Sequence, residues 1–226
     1  MTAPTKNMDA SLNSDEHPNS QEKHPWLEWI KQVHAIAHWG LTYAKDPFDL
    51  ERYEALQSLS VAMMADFTTL DKSRITTLFD NEPGYVTPKV DVRGVVFKDR
   101  QLLMIRENLD GLWTIPGGWA DIGLSPRQVV VKEVQEEAGL NVEAGKLLAV
   151  LDKQFYRHPV SAFHIYKIFI QCHITGGELA TGLESTDVGF FSLDNLPPLS
   201  SNRITQQQIE LLFAHLNDPS RPTDLS

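Results

Sequence analysis

Pro116-Gly117-Gly118-Trp119-Ala120-Asp121-Ile122-Gly123-Leu124-Ser125-Pro126, running on into Arg127-Gln128-Val129-Val130-Val131-Lys132-Glu133-Val134-Gln135-Glu136-Glu137-Ala138-Gly139-Leu140, decides how the rest of the chain is read. Its second half predicts a helix with both ends marked. Ser125 is a preferred N-cap, Pro126 suits the first helical position, and Gln128 completes a capping box with Ser125. Gly139 is placed to end the helix in a left-handed turn. At about 100° per residue, Glu136 lies about 60° to one side of Glu133 and Glu137 about 40° to the other, so three carboxylates share one narrow face. Val130, Val134 and Ala138 lie on a different face that can bury.

Three acids with only Lys132 beside them repel one another unless a cation answers them. Hard oxygen donors of this kind suit Mg²⁺ or Mn²⁺, which keep several waters and bridge to substrate phosphates. An exposed acidic helix end is the competing reading. The glycine pair Gly117-Gly118 favours the cation site, because it lets backbone approach a ligand closely just ahead of the helix.

This stretch resembles the Nudix box, whose pattern is Gly, five residues, Glu, seven residues, Arg-Glu, an apolar residue, any residue, Glu-Glu, any residue, Gly and an apolar residue. Gly118, Glu133, Val134, Glu136, Glu137, Gly139 and Leu140 match at the right spacing. Leu124 stands where the first Glu belongs and Lys132 where the Arg belongs. The resemblance implies that Glu133, Glu136 and Glu137 hold Mg²⁺ or Mn²⁺, with the Gly118 carbonyl helping. It also implies that the two departures go together, since the missing Glu and Arg form a supporting ion pair in the family.

Composition fits this reading. The chain has 226 residues, 42% of them hydrophobic, enough for one substantial core and a small second domain. Thirty acidic residues against twenty basic ones give a net charge of −10. That balance disfavours stable nucleic-acid binding, which needs basic surface to displace counterions, but leaves small phosphorylated substrates open, since a bound divalent metal inverts the local field. The single cysteine, Cys172, excludes an intrachain disulfide and fits a reducing cytoplasm. No run approaches 18 apolar residues, so a cytoplasmic protein without a membrane span is expected.

Residues 1–24 are polar and read as a disordered tail. From Pro25 to residue 82, apolar residues recur at helical spacing in three segments: Trp26 to Leu41, Leu50 to Phe67, and a shorter one after Asp71 with Ile75, Leu78 and Phe79. These predict a small all-helical N-terminal domain. His34 and His38 stand four apart on the first helix, a zinc-pair spacing that without further ligands reads mainly as structural. Residues 86–218 alternate as strands around the capped helix: Val90 to Phe97 and Leu102 to Ile105 about a turn at Asp99-Arg100, then Lys146 to Leu151, Ala162 to Ile174 and Val188 to Ser192. A final helix is expected from Asn202 to Leu216, and residues 219–226 as a C-terminal tail. Asp91 and Arg93 either line a cleft, binding substrate with Gly117, Gly118, Trp119 and Asp121, or form an ion pair. The fold class is therefore α/β, a Nudix α/β/α sandwich with a mixed sheet, preceded by the helical domain.

The resemblance extends to Gly40-Leu41-Thr42-Tyr43-Ala44-Lys45-Asp46-Pro47 and Thr87-Pro88-Lys89-Val90-Asp91-Val92-Arg93, which look like the Nudix subgroup with an N-terminal helical domain. That subgroup hydrolyses nucleoside diphosphates linked to another moiety. It implies CDP-choline cleaved to CMP and phosphocholine as the first expectation, with ADP-ribose pyrophosphatase, or a silent Nudix-fold ligand sensor, as alternatives. It also implies a homodimer. Glu133, Glu136 and Glu137 are the expected catalytic residues together with Glu184, an acid in the polar loop 181–187. Trp119, Phe155 and Tyr156 are candidate cage members for choline by the cation–π argument. The helical domain could instead serve chiefly as an interaction module.

Overall fold

The computed structural model describes residues 25–67, 71, 73, 75 and 85–226. The expected N-terminal tail and most of the third helical segment lie outside them. Two helices, α1 (Pro25–Tyr43) and α2 (Pro47–Phe67), open the described chain. They pack through Leu27, Ile30 and Met64, with Ile75 completing this small core. Asp46 accepts from the Phe48 and Asp49 amides at 2.9 and 3.2 Å, which caps α2.

The second part is one mixed sheet with helices on both faces. Its strands are β1 (Lys89–Lys98), β2 (Gln101–Glu107), β3 (Trp113–Thr114), β4 (Gly117–Trp119), β5 (Leu140–Asp152), β6 (Ile165–Gly177), β7 (Ser185–Phe191) and β8 (Asp224–Leu225). Between β4 and β5 runs α3 (Pro126–Ala138), and α4 (Gln206–Asn217) follows β7. The order along the sheet is β3-β2-β1-β6-β5-β8, with β4 paired to β1 and β7 to β2.

One edge of β1 changes partner along its length. Phe97 and Lys98 pair with β2, whereas Asp91, Val92 and Arg93 pair with Trp119, Gly118 and Gly117 of β4. The other edge stays parallel to β6 from Lys89 to Val96. The sheet therefore splits on the β4 side of β1, and the glycine-rich stretch lines the split.

Alternation along each strand divides the core in two. Val92, Val96, Ile170 and Cys172 face α3, where Val129, Val130, Val134 and Ala138 are fully buried. Val95, Leu102, Met104, Leu151 and Phe169 face α4, against Ile209, Leu212 and Phe213. Each buried valine of α3 contributes about 2 kcal/mol of transfer free energy, which is what anchors an otherwise acidic helix. Gly94 lets α3 approach β1: a Cβ there would sit 2.6 Å from Val134 Cγ2. Cys172 is buried and its thiol is pushed up to about 12 by burial, with the Val95 backbone and Arg127 opposing, so it is inert filler as expected.

Several boundaries differ from the sequence reading. β5 begins directly after Gly139, and β6 and β7 are displaced by a few residues, because their pairing with neighbours sets their ends. The last helix starts later than expected: Thr205 accepts from the Gln208 amide and Gln208 accepts from the Thr205 amide, a second capping box that sets its start at Gln206. The expected C-terminal tail is tied down. Asp224 and Leu225 add β8 beside β5, and Asp224 is gripped by Arg221 at 2.9 Å and by buried His215 at 2.7 Å.

Candidate active site

The capped helix forms as expected. Ser125 and Gln128 make the reciprocal capping box, and Gly139 ends the helix at φ 72°. The three glutamates on its face meet the glycine-rich strand differently. Glu137 is buried and accepts from the Gly117 amide at 2.7 Å. Gly117 holds φ 136°, and a Cβ there would lie 2.1 Å from the Val92 carbonyl, so only glycine permits this contact. The Glu133 side chain is largely covered, at 15% exposure, and abuts Gly118, where a Cβ would stand 3.4 Å from Glu133 Oε2. Glu136 faces solvent.

The loop carrying Glu184 is stapled to the end of α3. Ser185 Oγ donates to the Glu137 carbonyl at 2.7 Å and accepts from the Gly182 amide at 2.8 Å. Glu184 is exposed there, close enough for its charge to raise both Glu133 and Glu107. Glu107, at the end of β2, is buried and paired to Arg203 at 2.7 Å. It belongs to this acidic group, yet no helical spacing pointed to it.

Burial pushes the Glu137 carboxyl up to about 8, opposed by the Gly117 amide and Arg93 and reinforced by Glu133 and Glu107. Burial also raises Glu133, with Lys132 opposing. Lys132 answers these acids. Its Nζ stands 2.9 Å from Asp121, 3.7 Å from Glu133 and 3.6 Å from Glu136. The partner absent at Leu124 is thus supplied by Asp121, three residues earlier. Asp121, expected to bind substrate, is the residue that pairs with Lys132.

The donor set fits a hard divalent cation. Lys132 occupies with its ammonium the space between Glu133 and Glu136 where a positive charge is wanted, and the remaining donors are oxygens. As the side chains stand, no group of three or more acids, histidines or cysteines among the described residues is drawn close enough together to hold a metal ion. His34 and His38 on α1 are buried, with His34 Nδ1 2.8 Å from Ser60 Oγ and the two rings 6.5 Å apart.

Asp91 and Arg93 resolve toward the ion pair. Arg93 Nε donates to Asp91 at 2.7 Å, a second guanidinium nitrogen donates at 3.2 Å, and Lys167 Nζ, fully buried on β6, also contacts Asp91. Arg93 further donates to the Ile115 carbonyl at 3.2 Å. Burial raises the Asp91 carboxyl, but Arg93 and Lys167 outweigh it and hold it at about 2. Of the three expected cage aromatics, Phe155 is half exposed at the end of the 3₁₀ turn Lys153–Phe155 that follows β5. Trp119 lies half exposed on β4, whereas Tyr156 packs against the core under α4 with its hydroxyl engaged by Ser226.

Two family models match the chain: a NUDIX domain over residues 87–212, and a UDP-X-like, N-terminal oligomerisation domain over residues 24–79. The chain belongs to the Nudix hydrolases. It is 49% identical over 198 residues to the putative ADP-ribose pyrophosphatase YjhB of Bacillus subtilis, covering 88% of this chain and 95% of that one. A crystal structure of an ADP-ribose pyrophosphatase from Streptococcus suis superposes with a TM-score of 0.57 at 42% identity, over 62% of this chain and all of the other. A crystal structure described as UDP-X diphosphatase gives a TM-score of 0.59 at 33% identity, over 89% of this chain and 98% of the other. This Nudix hydrolase therefore pairs a helical N-terminal domain with the catalytic fold, as the sequence implied. Among the described residues no helix is long and apolar enough to cross a membrane.

Proposed function

We propose that this Nudix hydrolase is a divalent-metal-dependent pyrophosphatase of nucleoside diphosphates linked to a second moiety, with ADP-ribose as its leading substrate. The observation that carries the reading is the placement of Glu133, Glu136 and Glu137 on one face of α3 beside the Gly117-Gly118 strand at the split in the sheet. The names of the two ADP-ribose relatives support the substrate. CDP-choline, the first expectation from sequence, ranks below it, since neither relative bears that name and Tyr156 is occupied elsewhere.

Glu133, Glu136 and Glu137, with the Gly118 carbonyl, would hold Mg²⁺ or Mn²⁺. When bound, such a metal neutralises the pyrophosphate and lowers the pKa of a coordinated water. The chain's own residues do the rest. Glu136, the most open of the three, reaches solvent and substrate; the Gly117 amide fixes the Glu137 carboxylate; Glu184 stands at the rim as a candidate base. Trp119, half exposed on β4, offers a stacking surface for a nucleobase.

The N-terminal domain supports a homodimer. Trp29, Tyr43, Phe48 and Phe67 each leave more than half of their surface exposed in the single chain, and the matching family model is one of oligomerisation. Hydrolysis of a panel containing ADP-ribose, UDP-linked sugars, CDP-choline and NADH, with Mg²⁺ or Mn²⁺, tests the reading. Metal-dependent release of AMP from ADP-ribose, absent in Glu136→Gln, is expected; preferential turnover of CDP-choline would restore the sequence order.

A further inference from the structure

The backbone that carries Glu184 runs past the acidic cluster with little apolar hold. Leu183 is 98% exposed and Glu184 is exposed beside it, so burial does not decide where this stretch stands. Polar bonds decide it, from two directions. On the α3 side, Ser185 Oγ donates to the Glu137 carbonyl at 2.7 Å and accepts from the Gly182 amide at 2.8 Å. Gly182 lies so close to the last turn of α3 that a Cβ there would collide with the Glu136 carbonyl.

On the β2 side the hold comes from Asn108, which follows the last residue of that strand. Glu107 stands in register with Ser185 of β7, just past an irregularity in the pairing. The Asn108 main-chain amide donates to the Glu184 carbonyl at 3.0 Å, and its side-chain Nδ2 donates to the Leu183 carbonyl at 2.9 Å. Two successive carbonyls thus meet two donors of a single residue. Only the nitrogen of a side-chain amide can donate to a carbonyl oxygen, so the partner fixes which way Asn108 is turned.

Those carbonyls belong to the two peptide planes that flank the Glu184 Cα. Holding both planes fixes φ and ψ at Glu184, and with them the direction in which its side chain leaves the backbone. We propose that Asn108 is a positioning residue for hydrolysis, which sets the aim of the Glu184 carboxylate beside the last turn of α3. The inference deepens the pyrophosphatase reading and rests on it, and on Glu184 as the base within it. A base works only within hydrogen-bond reach of the proton it removes, so a loosened backbone at Glu184 lowers the rate without weakening substrate. Asn108 is itself exposed, so its replacement opens no cavity.

The test is a double-mutant cycle of Asn108→Ala and Glu184→Gln in the full chain, with ADP-ribose and Mg²⁺. Asn108→Ala is expected to lower kcat about 10-fold and to leave KM within about 2-fold. Asn108→Asp has the same shape without the donor and follows Asn108→Ala, whereas Asn108→Gln keeps the donor and stays within about 3-fold of the parent. In the Glu184→Gln background, Asn108→Ala changes kcat by less than about 2-fold, because its target is gone. Amide hydrogen exchange at residue 108, read without substrate, rises at least about 10-fold in Asn108→Ala while thermal unfolding is unchanged. Parental kcat in Asn108→Ala, or parental exchange at residue 108, overturns the proposal. So does an additive cycle when Glu184→Gln alone has lost activity, since Asn108 then acts on something else. Near-parental kcat in Glu184→Gln sinks the base and the positioning role together, and exchange separates that failure from an Asn108 that never held the backbone. A parent that leaves ADP-ribose intact but cleaves another nucleotide of the panel corrects the substrate alone, and the same cycle is then read on that nucleotide.

Discussion

The two sides of β1 carry polar clusters of opposite sign and opposite construction. On the α3 side, Glu133, Glu136 and Glu137 come from a single helix turn, with Glu184 and Glu107 brought up beside them. On the α4 side, Asp91 and Arg93 of β1 and Lys167 of β6 come from two separate strands. The acidic cluster is graded from buried Glu137 to open Glu136 and is short of positive charge. The basic cluster is closed around Asp91 and short of negative charge. Arg93 stands between the two: it is bonded to Asp91, and its charge also opposes the rise of Glu137.

The largest effect expected from breaking this arrangement is at the open end of the acidic cluster. Glu136→Gln keeps the shape of an exposed side chain and removes one oxygen charge, so the fold is retained while kcat falls by at least about 10²-fold, part of the several kcal/mol that metal-borne charge stabilisation supplies. Steady-state hydrolysis of ADP-ribose with Mg²⁺ checks it; a variant with near-parental kcat would remove Glu136 from the site.

The basic cluster should fail in stability rather than in chemistry. Asp91→Asn leaves Arg93 and Lys167 buried with no carboxylate between them, and breaking a buried pair in this way costs about 3–5 kcal/mol. Urea unfolding measures it. The same carboxyl sets an acid limit: held at about 2 in the folded chain against about 3.9 unfolded, it contributes stability that is present above pH 4 and lost as pH falls toward 2. In Asp91→Asn that part of the acid slope disappears.

The difference in construction also explains what the sequence disclosed. The helix, its caps and its three glutamates are legible because every relevant spacing is local, within one or two turns, and helical periodicity places such residues without knowledge of the rest. Gly117 and Gly118 were legible for the same reason. Asp91 and Arg93, two apart on a strand, could be placed on one face, but choosing between cleft and ion pair required Lys167, which is 76 residues from Asp91. Glu107 and Arg203, 96 residues apart, meet only through the tertiary fold, which the alternation of single strands does not encode. The strand Asp224–Leu225 was missed because two residues carry no periodicity at all.

Glu137 offers a sharper contrast through pH. Its carboxyl lies at about 8 in the folded, metal-free chain and near 4.3 unfolded. A raised carboxyl contributes stability that is fully present below the unfolded pKa and is lost as pH rises through the folded one. Metal-stripped protein should therefore lose up to a few kcal/mol between about pH 5 and pH 8, and Glu137→Gln should flatten that fall while abolishing turnover. Thermal unfolding in EDTA at the two pH values checks it. A parent as stable at pH 8 as at pH 5 would mean that Glu137 is answered by charge already in the chain.

The smallest expected effect concerns the pair that replaces the family's own. Lys132 shares its ammonium among Asp121, Glu133 and Glu136, and a metal arriving at the two glutamates must displace it. Asp121 gives Lys132 somewhere to remain. In Asp121→Asn the ammonium falls back on the glutamates, so the Mn²⁺ concentration for half-saturation should rise about 3-fold, and by less at high salt because both groups are exposed and screened. Mn²⁺ binding followed by electron paramagnetic resonance reads this without turnover. Adding Leu124→Glu to Asp121→Asn places a carboxylate where the family carries one, and recovery of Mn²⁺ affinity would show that the two positions do the same work. If Asp121→Asn binds Mn²⁺ as the parent does, Lys132 yields to the metal unaided, and the contact between Asp121 and Lys132 has no part in it.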